Sequence, residues 1–379
     1  LALWGAKAQR LLLARDWPGE KPLYYTLLPE GGIAFASELK SLSLFPDLDL
    51  SLDHQAIWDF PTFLWIPEPA TVYRHVRSLM PGELLVADAQ GIRTRSFRPR
   101  SYQPGAGALT DDEAVATTRS VVEQAIRSRL LSDVPVGAFL SSGLDSSLVS
   151  TVARQALPEL STFTIGFEDL DDPYGGNADE SAAAEALARA LGTKHHTVRI
   201  TAADFRAELE TFCRAGDQPF AVSSGLGILA VACAAREAGV KVLLSGDGAD
   251  ECFGGYPWYF HLEATNRSVT QAVHLSDDYS FQNFGAPLDE RLARLSALPA
   301  PNRAWAWHYY AAESEKRRLF AGDRFADVTS SLRLFSAFRA DNDWSPEDFI
   351  RQDRGFYFPM EMLRKVDRMT MAHSVESRV

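Results

Sequence analysis

Between residues 111 and 244 the chain alternates short apolar runs with helix-period segments, and few architectures accept that pattern. Runs at 135–140, 161–167, 195–200 and 240–244 read as buried strands, and helical stretches at 146–155, 179–191 and 224–238 separate them. Strands regularly spaced by helices predict an α/β fold, a parallel sheet with helices on both faces. A long amphipathic helix over 111–131 leads into it, with Thr110 at the N-cap and Glu113 at the capping-box position. Before residue 100 the pattern is different. β-type runs cover 10–15, 22–28, 32–37 and 83–87, the last paired through Gln90-Gly91 with 92–97, and one helix is expected over 52–60. Residues 99–109, rich in Pro, Gly, Ser and Ala, read as a linker. From about Ser268 the last third reads as helical, rich in Trp, Arg and Leu, and the chain shows no repeat or low-complexity tract.

The first of these strands is the most informative. Val134-Pro-Val-Gly-Ala-Phe-Leu140 breaks into a turn of Ser141, Ser142 and Gly143, and a helix follows from about Leu144. Backbone N–H groups of such a turn and of the helix start are expected to stay unpaired and, with the helix dipole behind them, to form an anion pocket. Ser141, Ser146 and Ser147 add hydroxyl donors, and Asp145 can hold a Mg²⁺ bridging phosphate oxygens. Ser-Gly-x-Asp alone would be no more than a helix cap. The strand before it and the helix after it favour a phosphate site. No Lys is present, so this is not the Gly-Lys-Ser/Thr type of loop.

A second turn has the same character. Val240-Lys-Val-Leu-Leu244 runs into Ser245-Gly-Asp-Gly-Ala-Asp-Glu251 and then Gly254-Gly-Tyr256. Carboxylates beside glycines at a strand's carboxyl end suit a Mg²⁺–polyphosphate contact, where open α/β sheets place their ligands. Between the two turns, the end of the strand at 161–167 could cradle a base.

Composition narrows the classes. At 379 residues two domains are the prior, and 46% apolar content is enough for a core in each. A net charge of −12 argues against a nucleic-acid surface. The cysteines, Cys213, Cys233 and Cys252, are scattered, which matches a reducing cytoplasm and suggests neither disulfides nor zinc. No stretch approaches the roughly 20 apolar residues of a membrane span, and no signal peptide is visible.

Ser141-Ser-Gly-Leu-Asp-Ser-Ser147 resembles the pyrophosphate-binding loop of ATP-pyrophosphatases. With Ser245-Gly-Asp-Gly-Ala-Asp-Glu251 and Val366-Asp-Arg-Met-Thr-Met-Ala-His-Ser-Val-Glu-Ser-Arg-Val379, it resembles the glutamine-hydrolysing asparagine synthetase family, class II amidotransferases. Arg15-Asp-Trp-Pro-Gly-Glu-Lys-Pro-Leu-Tyr-Tyr25 and Ala36-Ser-Glu-Leu-Lys40 resemble the later half of that family's glutaminase domain. The resemblance runs almost end to end. It implies that 1–98 are the C-terminal part of an Ntn-type αββα glutaminase domain and 99–109 a linker. Residues 110–379 would then form a doubly wound, parallel-sheet ATP-pyrophosphatase domain with a helical C-terminal part.

Three departures stand out. Ser142 takes the place of a more usual Gly, which the turn tolerates if φ stays below zero. The family's N-terminal nucleophilic Cys has no counterpart near Leu1, and its Asn-Gly-Glu segment would precede Leu1. At Val379 the family pattern continues with Pro-Phe-Leu-Asp and, further on, a catalytic lysine. The chain is therefore expected to be a fragment, truncated at the C-terminus, and as written not to hydrolyse glutamine.

The implied activity is that of an asparagine synthase-like carbon–nitrogen ligase. ATP would convert aspartate or a related acid to an acyl-adenylate with release of pyrophosphate. Ammonia, normally drawn from glutamine, would then displace AMP. Catalysis is then mostly positioning and electrostatics. On this resemblance Ser141, Ser142, Gly143 and Ser146 grip pyrophosphate, and Leu140, Ile165, Ser245 and Gly246 line the nucleotide. Asp145 and Asp250 bind Mg²⁺, which an acidic protein needs for a polyanion. Asp247 and Glu251 are the catalytic candidates on the substrate side, one to orient the amino-acid ammonium or to take a proton from the attacking ammonia. Expected partners are small molecules, not nucleic acid or membrane; the expected location is the cytoplasm, and a homodimer is one open arrangement. The alternatives are a relative that closes a ring, of β-lactam synthetase or lasso-peptide cyclase type, and a nucleotide-binding pseudoenzyme. Asp247 favours amidation, since lactam-forming relatives carry Tyr there.

Other features have structural alternatives. His195-His196 read as a core or surface pair. Asp217-Gln-Pro219 could bind substrate or form a turn. Arg364-Lys365 with Asp367-Arg368 reads as a charged helix face from composition and as a pocket wall from the resemblance. Glu376 and Arg378 belong to that wall or form a buried ion pair. The stretch 305–310 reads as core packing.

Overall fold

Residues 11–14 pair with residues 84–87, and the pairing sets Leu13 directly opposite Leu85. Those two leucines meet Leu23 and Leu79 in a core that Tyr25 and Ile33 adjoin. Successive strand side chains alternate between faces. The neighbouring Tyr24 accordingly packs elsewhere, with Leu39, Leu42 and Val76. Strands β1 (Ala2–Gly5), β2 (Arg10–Ala14), β3 (Tyr24–Leu27), β4 (Ile33–Ala36), β5 (Val76–Ser78), β6 (Glu83–Asp88) and β7 (Gly91–Ser96) build two antiparallel sheets, in orders β1-β2-β6-β7 and β4-β3-β5. The turn joining β6 to β7 is Ala89-Gln90, one residue earlier than expected, and Gly91 opens β7 opposite Asp88 with φ 110°. Helix His54–Phe63 starts at Asp53, whose carboxylate accepts the Ala56 N–H at 3.0 Å.

The computed structural model describes residues 1–46, 48–97, 109–168, 179–264 and 344–379, and between the last two 292–293, 295–296, 298–303, 310–320, 322–336 and 338. The expected linker 99–109, apart from Leu109, and the stretch 305–310, apart from Tyr310, lie outside them. Two units emerge, and neither follows chain order. One holds Leu1–Ser96, Asp217–Val222 and Gly248–Arg364; the other holds Phe97–Gly216, Ser223–Asp247 and Lys365–Val379.

In the first unit a buried polar network ties helix His54–Phe63 to residues 313–333. Trp58 Nε1 donates to Glu313 at 3.0 Å, Lys316 Nζ donates to Glu313 at 2.7 Å, and the Arg333 guanidinium grips Asp59 at 2.6 and 2.8 Å. Ser331 joins the two halves, its hydroxyl donating to Asp59 at 2.7 Å and accepting from Lys316 at 2.6 Å. Asp217 and Gln218 have structural duties here. Asp217 accepts the N–H groups of Leu39 and Lys40 at the start of helix Leu39–Leu42, and Gln218 accepts the Val72 N–H at 2.9 Å.

The second unit carries the parallel sheet: β8 (Val136–Phe139), β9 (Ser161–Phe167), β10 (Lys194–Ile200), β11 (Val242–Leu244) and β12 (Glu376–Arg378), in order β10-β9-β8-β11-β12. On one face Ala138 and Leu244 pack with Ala153 of helix Leu144–Ala156; on the other Phe163 and Leu243 pack with Val231 and Ala235 of helix Ser224–Glu237. Helices thus cover both faces, as a doubly wound fold requires. The capping box at Thr110 forms on helix Asp111–Arg129, with Glu113 N donating to Thr110 Oγ1 at 3.3 Å and Thr110 N to Glu113 at 2.9 Å. Strand β12 was not expected, because Glu-Ser-Arg offers no apolar pattern. Among the described residues no helix is long and apolar enough to cross a membrane.

Candidate active site

The chain winds outward from β8 through β9 to β10, then returns to place β11 on the other flank of β8. That reversal is a topological switch point, the place where open α/β sheets bind their ligands. Both sequence-predicted turns leave these two strands. A Cβ added to Gly246 would lie 3.0 Å from Asp145 Cβ and 3.0 Å from Ser146 N, so the second turn rests directly on the start of the first helix. Only glycine permits this approach. Ser245 N donates to the Arg378 carbonyl at 2.8 Å, and Ser245 Oγ donates to Asp247 at 2.6 Å, which holds the Asp247 carboxylate within its own turn.

Within the first turn, Leu140 is buried and its N–H continues the ladder to the Phe163 carbonyl at 2.8 Å. Ile165 lies beyond the Phe139–Phe163 pair, toward the carboxyl end where the turn begins, and packs against Gly227. The turn's N–H groups are not open, contrary to expectation. Ser141 N donates to Ser146 Oγ at 3.0 Å, Gly143 N to Ser141 Oγ at 3.0 Å, and Ser142 N to the Glu180 carboxylate at 3.1 Å. Short hydroxyls folded back on the turn satisfy the N–H groups of Ser141 and Gly143. Ser147 is likewise turned inward, onto the Gly143 carbonyl. Ser142 is not among the residues with positive φ, so the Gly-to-Ser departure is accommodated. The N-cap of helix Leu144–Ala156 is Gly143, which has no side chain to cap it, so the helix dipole's positive end faces the turn uncapped.

Asp145 stands in that first turn. Among the described residues its carboxylate has no hydrogen-bond or ion-pair partner, and partial burial pushes its pKa up. An unpartnered acid beside an uncapped helix N-terminus fits a divalent ion bound jointly to a polyphosphate. No group of three or more His, Cys, Asp or Glu among the described residues could hold a metal alone. Mg²⁺ ordinarily takes one or two carboxylates plus substrate phosphates, so one carboxylate from the chain is enough to consider.

Asp250 and Glu251 belong to the other unit. The Asp250 carboxylate lies so close over Gly255 that any side chain at 255 would collide with it. Glu251 is buried and accepts the Tyr256 hydroxyl at 2.9 Å. Near it Asp353 is fully buried, which raises its pKa to about 7.

The remaining candidates resolve into structure. His195 Nδ1 lies 2.9 Å from Thr162 Oγ1, and His196 stacks on Phe163 at 4.8 Å; burial lowers both imidazole pKa values. Arg364, Lys365, Asp367 and Arg368 are all buried, which overturns the solvated-face reading. Arg378 pairs with Glu376 at 3.0 Å, but the pair is partly exposed; Arg378 also donates to the carbonyls of Arg129 and Leu131, ending helix Asp111–Arg129. Sequence reasoning missed Glu180. The available signal was an acid opening the helix after β9, since neighbouring parallel strands bring such ends together.

Residues 117–379 match the asparagine synthase family, and residues 1–98 match the glutamine amidotransferase domain. Asparagine synthetase [glutamine-hydrolyzing] 1 of Bacillus subtilis is 31% identical over 388 residues, covering 100% of this chain and 58% of that protein. A putative asparagine synthetase [glutamine-hydrolyzing] of Mycobacterium tuberculosis is 32% identical over 397 residues, covering 100% and 58%. The chain thus spans less than two thirds of the length of these relatives. A solved structure, glutamine-dependent NAD+ synthetase from Acinetobacter baumannii in complex with ADP, is similar at 14% identity and a TM-score of 0.24, covering 73% of this chain and 56% of that one, too loose a superposition to bear on the fold. With a family match over more than half its length, placed on the strands and turns described above, the chain belongs to the asparagine synthase family.

Proposed function

We propose that the protein activates a carboxylic acid, aspartate or a related one, with ATP and amidates it. A carboxylate is a poor acyl donor because oxide would have to leave. Attack of its oxygen on the α-phosphorus of ATP breaks the α–β phosphoanhydride bond and releases pyrophosphate. Ammonia then adds to the acyl carbon, loses a proton and expels AMP. The observation that carries this reading is the seat of Gly246 on Asp145 and Ser146 at the switch point. It converges two turns of the family's motifs on one uncapped helix N-terminus.

On this reading Ser141, Ser142, Gly143 and Ser146 hold the leaving pyrophosphate, and Leu140, Ile165, Ser245 and Gly246 bound the nucleotide. A Mg²⁺ held by Asp145 would neutralise charge building on the phosphate oxygens. Asp247, steadied by Ser245, is the acid proposed to receive the ammonia proton. Glu251, buried on Tyr256, is proposed to position and not to react. The metal role of Asp250 rests on the motif alone. Residues 1–98 are proposed as part of a glutaminase domain and 110–379 as a synthetase domain, with glutamine as the ammonia source of the whole protein.

The test is pyrophosphate release with ATP, Mg²⁺, ammonium and a panel of carboxylic acids. Asp145→Ala should lower release at least about 100-fold and leave the thermal midpoint near that of the parent, since no partner of the carboxylate is lost. Retained release would refute the metal role. Release with none of the acids would refute the activity.

A further inference from the structure

We infer that Glu180 sets nucleotide affinity by occupying the phosphate turn while no nucleotide is bound; the inference rests on the function proposed above. Ser142 presents two donors to one carboxylate oxygen of Glu180, its N–H at 3.1 Å and its hydroxyl at 2.8 Å. Two donors converging on one anionic oxygen is how a turn holds phosphate. Here an anion of the chain itself fills that role. The placement is built in. Asp179 accepts the Phe167 N–H at 3.2 Å and the Ser181 N–H at 2.9 Å, which fixes the backbone of Glu180 at the carboxyl end of β9. Strand β9 is hydrogen-bonded to β8, so the acid stands one strand away from the turn it reaches.

The Ser142 departure gains a meaning from this contact. A glycine there would offer Glu180 the N–H alone, whereas serine adds the shorter of the two hydrogen bonds. A phosphate oxygen and a carboxylate cannot share these donors, because like charges at hydrogen-bonding range repel. A triphosphate entering the turn must therefore displace Glu180, and the exchange weakens its binding.

Calorimetric titration of the full chain with Mg–ATP, and separately with inorganic pyrophosphate, tests this. Glu180→Gln removes the charge and Glu180→Ala removes the contact. Each should tighten both ligands by roughly fivefold, the size of a like-charge contact at a solvated site. The side chain is exposed, so both variants should fold. A residue with a merely structural task would loosen binding when removed. Unchanged or weaker binding in both variants, with the parent still binding, would overturn this inference alone. No binding by parent or variants would overturn the proposed function, and this inference with it.

Discussion

Two acids in this chain have raised pKa values for the same reason and with different consequences. Asp145 is partly buried and, among the described residues, its carboxylate has no partner that would relieve its desolvation. The metal-dependent binding proposed for it should therefore fade, on acidification, at a pH above that of an ordinary carboxylate. Asp353 is fully buried near Trp258, Tyr259 and Glu251, and burial raises it from 3.8 to about 7. The folded state then holds a proton that the unfolded state has released. The resulting stability is complete below pH 3.8 and is lost as pH rises through about 7. Asp353→Asn, which keeps the shape and drops the titration, should gain on the parent steadily across that window. Urea unfolding at several pH values measures it, and a constant difference would contradict the assignment.

At the scale of elements, the contact between the two turns is the critical one. Gly246→Val would place branched carbon against Asp145 Cβ and Ser146 N, where even a single Cβ sits at 3.0 Å. One turn must then move off the other. Nucleotide binding should weaken by at least about tenfold, which equilibrium titration would show; parent-like affinity would mean that the contact is not needed. The strands and helices around these turns were legible because each obeys one period. The run 161–167 carries no charge and sets Phe163, Ile165 and Phe167 among small or hydroxyl residues, which a strand covered on both faces can bury. Strand β12 was not legible, since Glu-Ser-Arg is recruited by the free edge of β11 and not by its own propensity. The site was half legible. Spacing placed Ser141, Asp145 and Gly246, but nothing local could tell that Glu180, across a neighbouring strand, takes the donors of Ser142. The charged run 364–368 misled for a related reason: composition says polar, and only tertiary packing says buried.

At the scale of the molecule, the family matches and the units cut the chain differently. Residues 1–98 match one family domain, yet most of them share a unit with Gly248–Arg364. The network around Glu313 and Lys316 is one of the contacts that join them, beside Phe63 against Phe335 and Phe356. Lys316 is fully buried, pairs with Glu313 at 2.7 Å and lies 4.8 Å over the Trp58 ring. Lys316→Met would leave Glu313 buried without its counter-charge and should cost on the order of 3–5 kcal/mol. Chemical denaturation would report it, and a loss within experimental scatter would show that the network is not cohesive.

The late arrival of β12 has a consequence for how the protein is made. Among the described residues, strand β11 obtains its outer neighbour from Glu376–Arg378, and the turn after β11 is anchored by the Arg378 carbonyl. A ribosome must deliver all of 248–364 between those two strands. Until then the outer edge of β11 lacks the neighbour that the finished sheet gives it.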